Sequence, residues 1–116
     1  MNVETVDFVT IPTRDIARAV GWYRDVLGLE AGANGEVEAP NVTFSFWSPE
    51  GDGEPFQANV AGIALRVPDV KAACDELVAG GGELVGIEDT GVCHMGFCKD
   101  PDGNTVILHR RYAPRA

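Results

Sequence analysis

The sequence predicts an α+β fold in which one β-α-β-β-β module is used twice. Three observations predict it. The chain repeats itself at an offset of 54 residues, Asp15 onto Asp69; two helical patterns each open on an aspartate and close on glycine; and short alternating apolar strands follow each helix. At that offset VDFVTIPTRDIARA (6–19) lies over AGIALRVPDVKAA (61–73), so that Ile11 meets Leu65, Ile16 meets Val70 and Ala19 meets Ala73.

In the first module an apolar strand ends before Asp15, whose side chain is suited to capping a helix. The spacing then places Ile16, Val20, Tyr23 and Leu27 on one stripe, with Gly28 as the stop. NVTFSFW (41–47) alternates as a strand with one buried face, and weaker segments near 29–33 and 54–58 complete the set. EAGANGEVEAPN (30–41) reads as a mobile loop and a candidate lid. In the second module Asp69 caps a helix with Val70, Cys74, Leu77 and Val78 on its buried stripe, and Gly80, Gly81 and Gly82 end it. ELVGI (83–87), VCHMGFCK (92–99) and NTVILHR (104–110) are its further strands. The modules, about 5–58 and 60–112, are expected to form a single domain, since neither could bury its apolar face alone.

Length and charge narrow the function classes. The chain has 116 residues, enough for one hydrophobic core. Eighteen acidic against nine basic residues give a formal charge of −9. That charge repels phosphate backbones and anionic bilayers, which argues against nucleic-acid and membrane partners in spite of the basic end Arg110, Arg111 and Arg115. MNVETVDF shows no secretory signal pattern, and no apolar run reaches the roughly 18 residues of a membrane span. Three cysteines, Cys74, Cys93 and Cys98, without C-x-x-C spacing suit a reducing, cytoplasmic compartment, and Cys74 falls on a buried helical stripe as a small core hydrophobe.

Strand alternation divides the side chains between two faces. Val9, Ile11, Phe44, Phe46, Ile63, Leu65, Val67, Val106 and Leu108 belong beneath the helices. Phe8, Thr10, Thr43, Ser45, Trp47, Gly62, Ala64, Arg66, Thr105, Ile107 and His109 fall on the opposite faces. That mixture of polar and aromatic groups is the lining expected of a ligand cavity. A Lys99–Thr105 pairing across the turn DPDGN would add Met95 and Phe97 to it and turn His94 to the helix side, unless a bulge reverses the alternation.

DIARAVGWYRDVLGLE, RVPDVKAACDELVAGGGEL and FCKDPDGNTVILHRR together resemble the vicinal oxygen chelate superfamily, which includes glyoxalase I, extradiol dioxygenases, and fosfomycin and bleomycin resistance proteins. The resemblance runs from about Val6 to Tyr112 and implies an eight-stranded cup and a homodimer. It also implies metal ligands at defined places. One is a His seven residues before the first capping Asp, a position held here by Phe8. Its counterpart in the second module is Gly62, and a Glu four residues after the glycine of D-P-D-G is here Ile107. The fourth comes from the strand carrying Thr43, Ser45 and Trp47. Phenylalanine, glycine and isoleucine carry no atom that ligates a divalent cation. No standard zinc spacing unites Cys93, His94, Cys98 and His109 either, so no metal and no cofactor is expected.

The residues therefore suggest a metal-free small-molecule binding protein that encloses an aromatic or anionic ligand. Arg66 and His109 would anchor it; Trp47, Phe8, Thr10, Ser45, Met95, Phe97 and Ile107 would line it. An inward guanidinium requires a partner, either a ligand anion or an acid such as Glu50 or Glu54. The alternative is an enzyme, a lyase, isomerase or dioxygenase-like catalyst, with His109 as general base or with unusual metal ligands.

Overall fold

The computed structural model describes residues 1–115 and divides them into two compact units, Met1–Gln57 and the segment from Ala58 onward. In the first unit the strands β1 (Phe8–Pro12), β2 (Glu30–Ala31), β3 (Glu36–Glu38) and β4 (Thr43–Trp47) form one sheet in the order β1-β4-β3-β2, with helix α1 (Ile16–Asp25) between β1 and β2. β1 runs parallel to β4, and the remaining pairs are antiparallel. The second unit repeats the plan with β5 (Ile63–Arg66), α2 (Val70–Ala79), β6 (Glu83–Asp89), β7 (Cys93–Lys99) and β8 (Thr105–Arg111), in the order β5-β8-β7-β6. Two four-stranded sheets, each with one helix, make the α+β class read from the repeat.

Both helices start as their aspartates predict. Asp15 accepts a hydrogen bond from the Arg18 amide and Asp69 one from the Ala72 amide, each at 3.0 Å. The buried face of α1 centres on Ala19 and Tyr23, and the Tyr23 ring packs edge-on against Phe46, with ring centres 4.9 Å apart. Ile16, expected on that stripe, is exposed because it occupies the first helical position, where it covers Gly35 instead of the sheet. Leu27 lies beyond the last helical residue, Asp25. α2 buries Val70, Cys74 and Leu77, while Val78 lies on the flank of that line and stays exposed.

The first unit departs from expectation in two segments. Residues 30–41 are not a continuous loop: they hold β2 and β3, joined by a turn in which Asn34 and Gly35 take positive φ. Val37, wholly buried, anchors β3, and a lone apolar residue between two glutamates is too short an alternation to reveal a strand. The segment near 54–58, expected to be a strand, is irregular; there Phe56 packs beneath the Arg14 guanidinium at 4.6 Å.

The core of the second unit forms where α2 meets β7. A Cβ on Gly96 would collide with the sulfur of Cys74, so the glycine is what lets the helix descend onto the strand. Cys74 and Cys98 are fully buried, and burial beside Cys74 pushes the Cys98 thiol up to about 11. A raised folded-state pKa stabilises the fold below the unfolded thiol value of about 8.5. That contribution fades as pH climbs from there toward 11. Native protein at pH 8 is expected to resist alkylation at Cys74 and Cys98 and to label at both once denatured; rapid native labelling at either, read by peptide mass, would contradict this packing.

Candidate functional site

Each sheet turns one face to its helix, and the candidate residues occupy the other. On the second sheet the register places Arg66, His109 and Met95 side by side across β5, β8 and β7. Adjacent strands lie about 4.8 Å apart, which brings the Arg66 and His109 backbones into that relation. Ala64, Ile107 and Phe97 form the next row, and Thr105 and Lys99 pair in the row beyond. Val106, Leu108, Gly96 and Cys98 point the other way and are buried. The pairing of Lys99 with Thr105 is the one that the turn DPDGN suggested, and it puts His94 on the helix side, in register with Arg110. The bulge of this sheet lies in β6, between Leu84 and Gly86, and leaves the alternation of β7 and β8 intact.

The second sheet's open face has an apolar centre edged by charges of both signs, Arg66 and Lys99 with Glu83 and Glu88 of β6. Among the described residues Arg66 has neither an ion pair nor a hydrogen bond; Glu50, one partner considered for it, pairs with Arg14 at 3.5 Å. Lys99 donates to the Thr105 hydroxyl at 2.7 Å and keeps two further N–H donors. Met95, Phe97, Ile107 and His109 are each partly exposed, the condition of side chains that line a surface a ligand can reach. Lys99 was absent from the sequence-derived set, although the Lys99–Thr105 pairing already contained its position.

On the first sheet Phe8 neighbours Thr43, and Thr10 neighbours Ser45, on the face away from α1. Phe8 is 56% exposed and Trp47 is 41% exposed, with the indole N–H donating to Asp52 at 2.7 Å. Glu36 and Glu38, opposite Ser45 and Thr43, make this face acidic, and Glu38 accepts a 2.6 Å hydrogen bond from the Thr43 hydroxyl. Sequence reading missed both glutamates because it placed them in a loop. Phe8, Thr10, Ser45 and Trp47 thus share one sheet face, and Arg66, Met95, Phe97, Ile107 and His109 share another.

The residues do not fit the metal that the superfamily resemblance implies. Matching β4 to β8 through their parallel partners makes Ser45 the counterpart of Ile107, so the four positions hold Phe8, Ser45, Gly62 and Ile107. Gly62 adopts φ +98°, where side chains are strained, and an added Cβ would press on Thr105 at 3.0 Å and on Ile107 at 3.1 Å. The backbone itself is arranged against a side chain there. His94 and His109 lie on opposite faces of their sheet, and among the described residues no group of three His, Cys, Asp or Glu is placed to hold a metal ion.

The profile of the Glyoxalase/Bleomycin resistance protein/Dioxygenase superfamily matches residues 5–108. The chain belongs to this superfamily. A probable lactoylglutathione lyase of Vibrio parahaemolyticus is 26% identical over 112 residues, spanning 81% of each chain. A superfamily member from Sphaerobacter thermophilus superposes with a TM-score of 0.80 at 24% identity, covering 92% of this chain and 97% of its own. TnmS3, an antibiotic binding protein from Streptomyces sp. CB03234, does so with a TM-score of 0.76 at 23% identity, covering 96% and 98%. Proteins similar to this chain thus carry names of catalysis and of binding, and membership leaves the activity to be argued from the residues. No helix among the described residues is long and apolar enough to cross a membrane.

Gly62→Ala is expected to destabilise the protein by about 1–2 kcal/mol, the cost of a side chain at a positive φ together with its contact on Ile107. Denaturant unfolding measures it. A neutral effect would mean that the position accepts a side chain and that a ligand there was lost by residue choice alone.

Proposed function

We propose that the protein is a metal-free small-molecule binding protein that holds an anionic, aromatic ligand on the open face of the second sheet. The observation that carries this reading is the unpartnered Arg66 guanidinium beside His109, at the edge of the apolar row Ala64, Ile107 and Phe97. A guanidinium offers a carboxylate or phenolate two parallel N–H donors, and the neighbouring imidazole can supply a third. The ring of the ligand would lie over Ile107, Phe97 and Met95, where apolar contact and sulfur–aromatic contact both favour it. Phe8 and Trp47 present stacking area of their own on the first sheet.

The fold relationship to TnmS3, an antibiotic binding protein, supports the reading. The name lactoylglutathione lyase attached to the Vibrio relative points to catalysis instead. Catalysis at a metal of the kind the superfamily resemblance implies has no ligand set in this chain, since Phe8, Ser45, Gly62 and Ile107 stand at its positions. His109 remains the group through which a metal-independent reaction would run, as a base beside Arg66.

Screening aromatic carboxylates and phenols by thermal shift, followed by calorimetry on the best of them, tests the proposal. Arg66→Ala is expected to weaken binding about 10- to 100-fold, the usual worth of a charge-assisted hydrogen bond, and His109→Ala only a few-fold. Arg66 is exposed and unpartnered, so the variant should keep its stability within about 0.5 kcal/mol. Unchanged affinity in Arg66→Ala would overturn the proposed anchor. Turnover of a ligand that vanishes in His109→Ala would replace the binding protein with the enzyme.

A further inference from the structure

On the helix side of the second sheet, at the end where α2 begins, lies a cleft of about 480 Å³ lined by Pro68, Asp69, Val70, His94, Arg110, Arg111 and Tyr112. Its volume falls within the range of small-molecule sites. It is separate from the face that carries Arg66 and His109, because His94 and Arg110 sit on the opposite side of β7 and β8 from Met95 and His109.

The acidic side chains at this cleft already have partners. Asp69 is occupied in capping α2, where it accepts from the Ala72 amide at 3.0 Å. Asp89, next to the cleft, is engaged three times: it accepts from the Gly91 amide and from the Tyr112 hydroxyl, each at 2.8 Å, and stands 3.4 Å from His94 Nε2. Those donors hold its carboxyl below the usual carboxylate range. Both acids are therefore committed locally, while Arg110 is not. Arg110 has no ion pair or hydrogen bond among the described residues, and Arg111 uses Nη2 on the Pro114 carbonyl at 3.2 Å while its buried Nε has no partner. Arg111 pairs with Cys93, so alternation turns it to the face of His109, and Arg110 is the guanidinium that the cleft can use.

The aromatic groups complete the cleft. The His94 imidazole and the Tyr112 ring stack at 4.6 Å with their planes tilted by 36°, and the contacts to Asp89 hold both rings in place. A preformed aromatic wall next to a free guanidinium fork matches one ligand chemistry: a flat ring that bears a carboxylate. We propose that this cleft is a second ligand site, specific for small aromatic carboxylates, with Arg110 taking the carboxylate and the His94–Tyr112 pair taking the ring.

Benzoate added to isotopically labelled full-length protein tests this, with amide and imidazole shifts followed by NMR. The expected result is a saturable shift of Val70, His94 and the Arg110–Tyr112 amides that persists in Arg66→Ala, which separates it from binding on the other face. Arg110→Gln should weaken that response at least 10-fold, and Arg110→Lys should recover part of it. Shifts confined to Ala64, Arg66 and Ile107, no saturable shift, or a response undiminished in Arg110→Gln would each overturn the second site.

Discussion

The second unit is organised by a buried polar turn. Asp100 and Asn104, 5% and 2% exposed, close the hairpin between β7 and β8: one Asp100 oxygen accepts from the Asp102 and Asn104 amides, and the other from the Asn104 side chain. Asn104 also reaches across to the chain entering β5, accepting from the Asn59 amide at 2.8 Å, while Thr105 donates to the Asn59 carbonyl. Gly103 supplies the positive φ that the turn requires. The Asp100–Asn104 bonds are buried, so breaking one leaves a desolvated group unpaired, and the register cannot drift cheaply.

That register decides the chemistry of both faces. A slip of one residue along β8 would carry His109 and Ile107 beneath α2 and push Val106 and Leu108 into solvent. With the turn fixed, Thr105, Ile107 and His109 are held on the ligand face, and Arg110 is held beside His94 on the other. The close seat of α2 on Gly96 reinforces the same choice, since only that row of the sheet lacks a side chain where the sulfur of Cys74 must fit. The two proposed sites are two consequences of one alternation, read on opposite sides of the sheet.

Much of this was legible in the residues, for identifiable reasons. The aspartate caps, the glycine stop of α2 and the alternation of β1, β4, β7 and β8 are local signals strong enough to survive packing. The Lys99–Thr105 pairing across DPDGN, which the sequence offered as a condition, is the one that forms. β3 was hidden, because its burial depends on Val37 alone and its glutamates look like loop residues until a neighbouring strand pairs with them. The cleft at Arg110 was hidden for another reason: it is formed by a strand end, a helix start and the chain beyond β8, which no periodicity links. The departures from the metal-ligand pattern were visible at once. The structure adds why Gly62 could not simply be exchanged for a ligand, since its φ and its contact with Ile107 oppose any side chain.

The claim at the centre of this account is that a fold shared with metal-dependent enzymes works here without a metal. Elemental mass spectrometry of the untagged, freshly purified protein, paired with thermal unfolding in added zinc, manganese, iron, cobalt and nickel, tests it most directly. The account predicts substoichiometric metal and an unmoved unfolding temperature for every ion. Stoichiometric metal with a stabilising shift, persisting in the His94→Ala and His109→Ala variants, would contradict it and would require a ligand set that Phe8, Ser45, Gly62 and Ile107 do not provide.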